Sequence, residues 1–286
     1  KNIARELETF VPRYNIDFMG FVDDNFAVSR KRISELFSPL RPVLEEFNIK
    51  WGTHARLDEM ADIKKSNNGQ LEFNKPLRLE QMAKAGCAYI GFGAESANKK
   101  VLEEMGKGGF ILRDGMREKN GYELPVSMME GVKNTFNSGV HANCTWIMGY
   151  PSEGLDELKA SVAFIKWQEE LYSSGLTPGS IEYQNAVDSV NKNIFIATAY
   201  PGTEMFKHPK VKEVLTKRFS LSFNSVNGDV VPDQNLMKYA ESLNDASDVL
   251  YDENGAPLYY GDMSEEQFTE VRSHIDSKDI FKILDM

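Results

Sequence analysis

The sequence predicts an α/β fold built on a parallel sheet, and three observations carry that expectation. Short apolar runs rich in aromatic and branched residues recur along the chain. Amphipathic stretches separate them, and each run is followed directly by a compact polar or glycine-containing cluster. The 286 residues, 41% apolar and 27% charged, have the composition of a globular chain with room for one large domain or two small ones.

Asn2 to Tyr14 reads as a helix. The chain opens within it on Lys1, without a signal-peptide pattern, so an upstream part of the native protein is expected to be missing. Ile16 to Val22 reads as the first strand, followed by a helix over Ser29 to Phe47 with Ile33, Leu36, Phe37, Leu40, Val43 and Leu44 on one stripe. Ile49 to Thr53 is a strand, and Leu77 to Ala85 is a helix stopped by Gly86. Ala88 to Phe92 is the third strand. Gly106 to Leu124 mixes Gly, Lys, Arg, Asp and Asn without a period and reads as an inserted loop. Ser127 to Asn137 forms a helix ending at Ser138-Gly139, His141 to Met148 a strand, Asp156 to Ser173 a helix ending before Gly175, and Ile194 to Ala199 a strand. After Pro201 the alternation weakens. Asn224 to Gly261 is polar and turn-rich with one helical stretch near Leu236 to Leu250, and Ser264 to Leu284 reads as a terminal helix begun by the capping box Ser264-Glu265-Glu266-Gln267.

Charge and cysteine content narrow the function classes. With 33 basic against 43 acidic residues the net charge is −10, which lacks the electrostatic footprint of a general phosphate-backbone binder and disfavours nucleic acid as a partner. No apolar run approaches the roughly 18 residues a membrane helix needs. Cys87 and Cys144 lie far apart inside apolar segments, which argues against a disulfide framework and against local metal-ligand spacing. They read as core thiols of a protein in a reducing, cytoplasmic compartment.

The chemistry lies in the clusters that follow the strands: Asp23-Asp24-Asn25, His54-Ala55-Arg56, Gly93-Ala94-Glu95-Ser96, Gly149-Tyr150-Pro151-Ser152-Glu153 and Tyr200-Pro201-Gly202-Thr203. In a parallel sheet these ends share the rim where ligands bind. Asp, Asn, Ser and Gly are also what strand-to-helix turns favour, so each cluster alone reads equally well as a cap. Their succession, with acid, base and amide groups, is what argues for a site. Of the four histidines only His54 falls at a strand end, as a candidate general base. Lys107-Gly108-Gly109 follows no strand and lacks the spacing of a phosphate loop. Asp245 to Glu253 reads as a solvated surface segment, and Tyr259 and Tyr260 as packing residues.

Several runs together resemble the radical S-adenosylmethionine enzymes: Asp23-Asp24-Asn25-Phe26, Trp51 with Arg56 and Asp58, Ala85-Gly86-Cys87 leading into Gly91-Phe92-Gly93-Ala94-Glu95-Ser96, Leu102 and Met105 with Lys107, Met148 to Glu153, and Tyr200 to Thr203. The resemblance covers about residues 3 to 206 in the family's order. It is nearest to the branch that often carries an N-terminal cobalamin-binding domain, including anaerobic magnesium-protoporphyrin ester cyclase-like proteins. It implies a partial (β/α) TIM-like barrel over residues 1–206, open where the first strand should be, and an irregular α-rich C-terminal extension over 207–286. The family's CxxxCxxC loop, which holds a [4Fe–4S] cluster on three thiolates, is absent from this chain, and Cys87 and Cys144 cannot replace it. The resemblance therefore places the cluster ligands upstream, with cobalamin expected only if a further domain precedes them.

Carried over residue by residue, the resemblance assigns Asp23, Asp24 and Asn25 to the ammonium of the S-adenosylmethionine cofactor, where a carboxylate suits a cation in a poorly hydrated cleft. An N-cap is the alternative for Asp24. Arg56 would take the methionine carboxylate through its planar fork, against the alternative of an ion pair with Asp58. Glu95 and Ser96 would accept from the ribose hydroxyls, and Ile147 would touch adenine, although an apolar strand residue is equally a core residue. Gly149 would permit close backbone approach. Glu153 stands one position later than the family's general spacing and matches this branch's variant. The implied activity is reductive cleavage of S-adenosylmethionine to a 5′-deoxyadenosyl radical that acts on a small-molecule substrate, with an electron donor such as flavodoxin or ferredoxin. This chain alone is expected to be inactive. Two alternatives stay open on the residues themselves: an α/β-barrel lyase or hydrolase using Asp24 and Glu95 as acid and base, and a non-catalytic nucleoside-binding module.

Overall fold

The computed structural model describes residues 2–23, 25–27, 29–224, 228–243, 250–251 and 257–286. In chain order it begins with α1 (Asn2–Tyr14), β1 (Phe18–Gly20), α2 (Arg30–Glu46), β2 (Lys50–Ala55), α3 (Leu57–Met60), β3 (Ile63–Lys65) and β4 (Leu71–Phe73). The middle of the chain forms α4 (Leu77–Lys84), β5 (Cys87–Glu95), α5 (Lys99–Glu104), α6 (Gly108–Ile111), β6 (Met116–Lys119), β7 (Tyr122–Pro125), α7 (Val126–Asn137) and β8 (His141–Met148). The rest forms α8 (Leu155–Tyr172), α9 (Ile181–Ser189), β9 (Ile194–Ile196), α10 (Glu204–Lys207), α11 (Pro209–Phe219), α12 (Gln234–Ser242), α13 (Glu265–Asp276) and a 3₁₀ turn at Ile280–Asp285. Among the described residues no helix is long and apolar enough to cross a membrane.

The five strands expected from the apolar runs form one parallel sheet in the order β1-β2-β5-β8-β9, curled as a half-barrel with helices connecting its strands. Phe18 pairs with Lys50, Thr53 with Ile90 and Trp146 with Ile194. Along β8 burial alternates: Ala142, Cys144, Trp146 and Met148 are buried, while His141, Asn143, Thr145 and Ile147 are half-buried. That period of two shows a strand with one fully packed face and one face only partly covered.

The chain divides into two compact units. The first comprises Lys1–Ala94, Lys107–Thr145 and Phe164–Asn191; the second comprises Glu95–Gly106, Trp146–Ala163 and Lys192–Met286. In the first, the Ser29 hydroxyl caps α2 by accepting the Arg32 N–H at 3.1 Å. The helix then buries Ile33, Phe37, Leu40, Val43 and Leu44, with Leu36 half-buried at the stripe's margin. Pro39 and Pro42 sit inside this helix and each forfeits an N–H donor. The buried stripe offsets that loss, because Phe37 stacks on Trp51 at 4.7 Å, and Phe21 and Phe26 close on the same indole at 5.3 and 5.6 Å. Trp51 Nε1 donates to the Ala85 carbonyl at 2.7 Å. The second unit has its own core of Ala199, Phe206, Val211, Leu215, Leu221, Tyr239, Leu258 and Tyr260, in which the Tyr239 hydroxyl donates to the Ala199 carbonyl at 2.6 Å.

Two expectations are corrected. Gly106 to Leu124 is not a structureless insertion: it folds as α6 and the β6–β7 hairpin, in which Lys119 pairs with Tyr122 across Asn120-Gly121. Both turn residues have positive φ, 54° and 84°, the conformation a two-residue hairpin turn of this twist requires. The terminal helix ends at Asp276 rather than Leu284. Its capping box forms at Ser264 and Gln267, but Ser277 caps the far end, Lys278 turns at φ 62°, and the 3₁₀ turn buries Ile280 and Ile283. The β3–β4 hairpin, α9 and α11 were not anticipated. Residues 244–249 of the stretch near Leu236 to Leu250 lie outside the described residues, as does Asp245 to Glu253 apart from residues 250–251.

Candidate functional site

In the first unit the loop leaving β1 is tied to the end of β2, because the Phe26 N–H donates to the His54 carbonyl at 2.9 Å. Asp23 pairs with Arg32 at 2.7 Å, both side chains being about half exposed. Asp24 lies outside the described residues. Asn25 is half-buried and its amide nitrogen donates to Glu59 Oε1 at 3.0 Å. Arg56 forms the ion pair with Asp58 through both carboxylate oxygens, Nε to Oδ1 at 3.0 Å and Nη2 to Oδ2 at 2.9 Å. Its guanidinium lies 4.1 Å from the centre of the Phe110 ring. The fork is thus held in a fixed plane by a bidentate pair and a ring. His54 is exposed and passes over Gly91 of β5, where a Cβ would stand 2.6 Å from His54 Cδ2, so a side chain there would have to displace the imidazole.

In the second unit, Glu95 ends β5 at φ 63°, the left-handed region, which costs a residue bearing a Cβ about 1–2 kcal/mol. It is half-buried. Ser96 beside it is fully buried and occupied within the turn: its Oγ accepts the Asn98 N–H at 3.1 Å and lies 3.4 Å from Ser161 Oγ, which accepts the Ala97 N–H at 3.0 Å. Asn98 then caps α5 by accepting the Val101 N–H. The turn therefore holds Ser96 inward and leaves Glu95 at its more exposed position.

The turn after β8 is built around a buried acid. Glu153 is 0% exposed, and its Oε2 accepts the Gly149 N–H at 2.6 Å. Its main-chain carbonyl accepts from the Asp262 N–H at 2.7 Å and the Tyr259 hydroxyl at 3.2 Å. Among the described residues Glu153 Oε1 has no hydrogen-bond partner. Burial pushes this carboxyl up to about 8, the neighbouring Glu157 adding to the effect and the Gly149 N–H opposing it. At neutral pH Glu153 is therefore largely protonated and holds the turn as a neutral acid. Gly149 adopts φ 87°, and a Cβ there would stand 3.0 Å from the Tyr259 ring, so the group that closes on this glycine is an aromatic side chain of the C-terminal segment. Lys100 donates to the Ser152 carbonyl at 2.8 Å and Lys210 to the Pro151 carbonyl at 3.1 Å, clamping the same turn. The Ser152 hydroxyl bonds to Glu104, whose other oxygen lies 3.3 Å from His208 Nε2. Ile147 is half-buried on the less covered face of β8.

Cys87 and Cys144 are buried on β5 and β8, and burial pushes both thiols up to about 12. Among the described residues no group of three or more His, Cys, Asp or Glu side chains is placed to hold a metal ion. Sequence reasoning missed two residues at these loops. Glu59 carries no local signal beyond its place on a short helix, and Tyr259, read as packing, does pack, but onto Gly149 and Glu153.

No family model matches the chain. A protein of Pyrococcus horikoshii described as the uncharacterized methyltransferase PH0819 is 26% identical over 215 residues, which is 75% of this chain and 36% of that protein. Two solved structures are similar in fold at 14% identity. The cobalamin-dependent S-adenosylmethionine radical enzyme OxsB has a TM-score of 0.53, covering 95% of this chain and 37% of its own. The radical S-adenosylmethionine methyltransferase TsrM from Kitasatospora setae, with tryptophan substrate and a cofactor analogue bound, has a TM-score of 0.51, covering 98% and 45%. The chain thus spans between about a third and just under half the length of the proteins it matches, and its similarity to the solved structures is one of fold.

Proposed function

We propose that this chain is the S-adenosylmethionine-binding barrel portion of a radical S-adenosylmethionine enzyme acting on a small-molecule substrate. The observation that carries the proposal is Glu95, a non-glycine residue held in the left-handed region where β5 ends. Backbone strain at a polar strand end, in a turn whose neighbour Ser96 is wholly engaged inside, is the pattern of a side chain positioned for a ligand. The strand-end series from Asp23 to Thr203 and the half-barrel fold support the same reading. The Pyrococcus relative and TsrM, by their descriptions, favour methyl transfer as the reaction class.

In this reading the strand-end residues serve the cofactor, while the two cysteines do not suit the cluster. Two buried cysteines on separate strands, with thiols near 12, are unsuited to hold a [4Fe–4S] centre. In this proposal its ligands belong to another part of the protein, as does any cobalamin. Bound S-adenosylmethionine supplies an electrophilic sulfonium. In the first unit Asp23 and Asn25 would accept from its ammonium and Arg56 would pair with its carboxylate; in the second unit Glu95 would accept from the ribose diol and Ile147 would meet the adenine. Gly149, Ser96 and Glu153 act by holding their turns. An electron donor such as flavodoxin or ferredoxin and a reducing compartment belong to the same proposal.

Titration calorimetry with S-adenosylmethionine tests it. Wild-type chain should bind, and Glu95→Gln should bind about ten- to a hundredfold more weakly, the worth of a charge-assisted hydrogen bond of roughly 1.5–3 kcal/mol. The melting temperature should not change, because Gln matches the shape of a half-buried Glu. No binding to the wild-type chain refutes the proposal, and equal affinities remove Glu95 from the site.

A further inference from the structure

Within the second unit, α11, the segment from Tyr259 to Met263 and the start of α13 bound a cavity of about 300 Å³. None of the strand-end clusters lines it. Its apolar wall is Val214, Tyr259, Met263 and Phe268, the Tyr259 and Phe268 rings standing 4.5 Å apart at 38°. That volume lies at the lower end of what small-molecule sites enclose, so it suits a compact ligand with one apolar group.

The charges on the rim define what else that ligand carries. Lys210 is taken up by the fold: its Nζ donates to the Pro151 carbonyl at 3.1 Å and the Gly261 carbonyl at 2.6 Å, and pairs with Asp262. Arg218 is engaged as well. Glu265 stands in the first turn of α13, where the free N–H groups of a helix favour a carboxylate. Glu213 and Lys217 are left, both exposed. They stand one turn apart on α11 in the order that favours a helical ion pair, yet among the described residues neither forms one. Side chains so placed have Cβ atoms about 5–6 Å apart. An acid and a base at that separation match the ammonium and carboxylate that an α-amino acid carries on one carbon.

We propose that this cavity binds a free α-amino acid with an apolar side chain. The side chain lies against Tyr259 and Phe268, the ammonium meets Glu213 and the carboxylate meets Lys217. The site goes beyond the cofactor reading and uses none of its residues. It still touches the turn after β8, because the Tyr259 ring that walls the cavity is the one that closes on Gly149. An occupant braces that ring against the turn.

Calorimetry with L-phenylalanine tests the proposal. The chain should bind it with a Kd below about 1 mM, and Glu213→Gln and Lys217→Met should each weaken binding about tenfold by removing one charged partner. Melting temperatures should stay level, since both side chains are exposed. N-acetyl-L-phenylalanine, which lacks the ammonium, and L-phenylalaninamide, which lacks the carboxylate, should each bind about tenfold more weakly than L-phenylalanine. No binding of L-phenylalanine in that range, or binding that either variant leaves unchanged, overturns the proposal. A derivative that binds as well as L-phenylalanine also overturns it, because the cavity then takes a peptide end rather than a free amino acid. Affinity for S-adenosylmethionine should be the same in wild type and both variants. If it falls in them, the cavity belongs to the cofactor site and the proposal is overturned; if the wild type binds L-phenylalanine and no S-adenosylmethionine, the cofactor reading alone falls.

Discussion

Replacing Glu153 with Gln should remove a pH dependence from folding. In the folded protein burial pushes the Glu153 carboxyl from its ordinary 4.5 up to about 8, whereas the unfolded chain leaves it near the ordinary value. Below about 4.5 both states hold the proton, and the group's contribution to stability is fully present. As pH rises the unfolded chain releases its proton first, so stability is lost progressively up to about 8 and stays level above it. At about 1.4 kcal/mol for each pH unit of that interval the whole effect approaches 5 kcal/mol, a large part of the roughly 5–15 kcal/mol that holds a domain folded. The amide of the Glu153→Gln variant has no proton to lose, yet its carbonyl oxygen still accepts the Gly149 N–H. Urea unfolding of both proteins at pH 5 and pH 8 should show the wild type losing about 4 kcal/mol relative to the variant. His141, whose pKa burial lowers, acts in the opposite direction by lowering stability as pH falls, but it is present in both proteins and cancels in the comparison. A wild-type-minus-variant difference that does not move with pH would refute the buried neutral acid.

Three further outcomes follow from the same geometry. Gly149→Ala meets both the φ of 87° and the Tyr259 ring, and should cost about 1–3 kcal/mol by denaturant unfolding; combined with Tyr259→Leu the losses should sum to less than additivity, and strict additivity would separate the two residues. Glu95→Gly relieves the left-handed backbone and should weaken S-adenosylmethionine binding at least as much as Glu95→Gln does, whereas unchanged affinity would take Glu95 out of the site. Cys87 and Cys144, with thiols near 12, should resist a thiol reagent at pH 8 until the chain is unfolded, and rapid labelling of the native protein would contradict their burial.

What the sequence made legible was set by short-range physics. Ser29 before the α2 stripe, Gly86 after α4, and Ser264 with Gln267 are local signals, and the helices start or stop where they stand. β8 was readable to the residue because its eight positions are long and apolar enough to declare themselves. The β6–β7 hairpin was misread as a loop although Asn120-Gly121 is a strong hairpin signal, because its four-residue strands carry Arg117, Glu118, Lys119 and Glu123, and that charge masked the alternation. Nothing local marks the break at Lys278, a non-glycine residue turned left-handed so that Ile280 and Ile283 reach the interior. The candidate site divides in the same way. Glu95 could be singled out as a candidate because it follows its own strand directly, and the Arg56–Asp58 ion pair was legible because its members are two residues apart. Glu59 with Asn25, and Tyr259 with Gly149, are partnerships across the sequence that only the folded chain creates.

The distance between Glu153 and Tyr259 has a consequence for how the molecule is made. Their hydrogen bond joins residues 106 positions apart. At about 5–20 residues per second a ribosome releases the tyrosine roughly 5–20 s after the acid. During that interval the turn after β8 has no aromatic cover, so its carboxyl stays hydrated and ionised at neutral pH. Arrival of the C-terminal segment both closes the turn and draws a proton from solvent. Proton uptake is thus tied to the arrival of Tyr259, and a ribosome stalled before it carries this turn still open and charged.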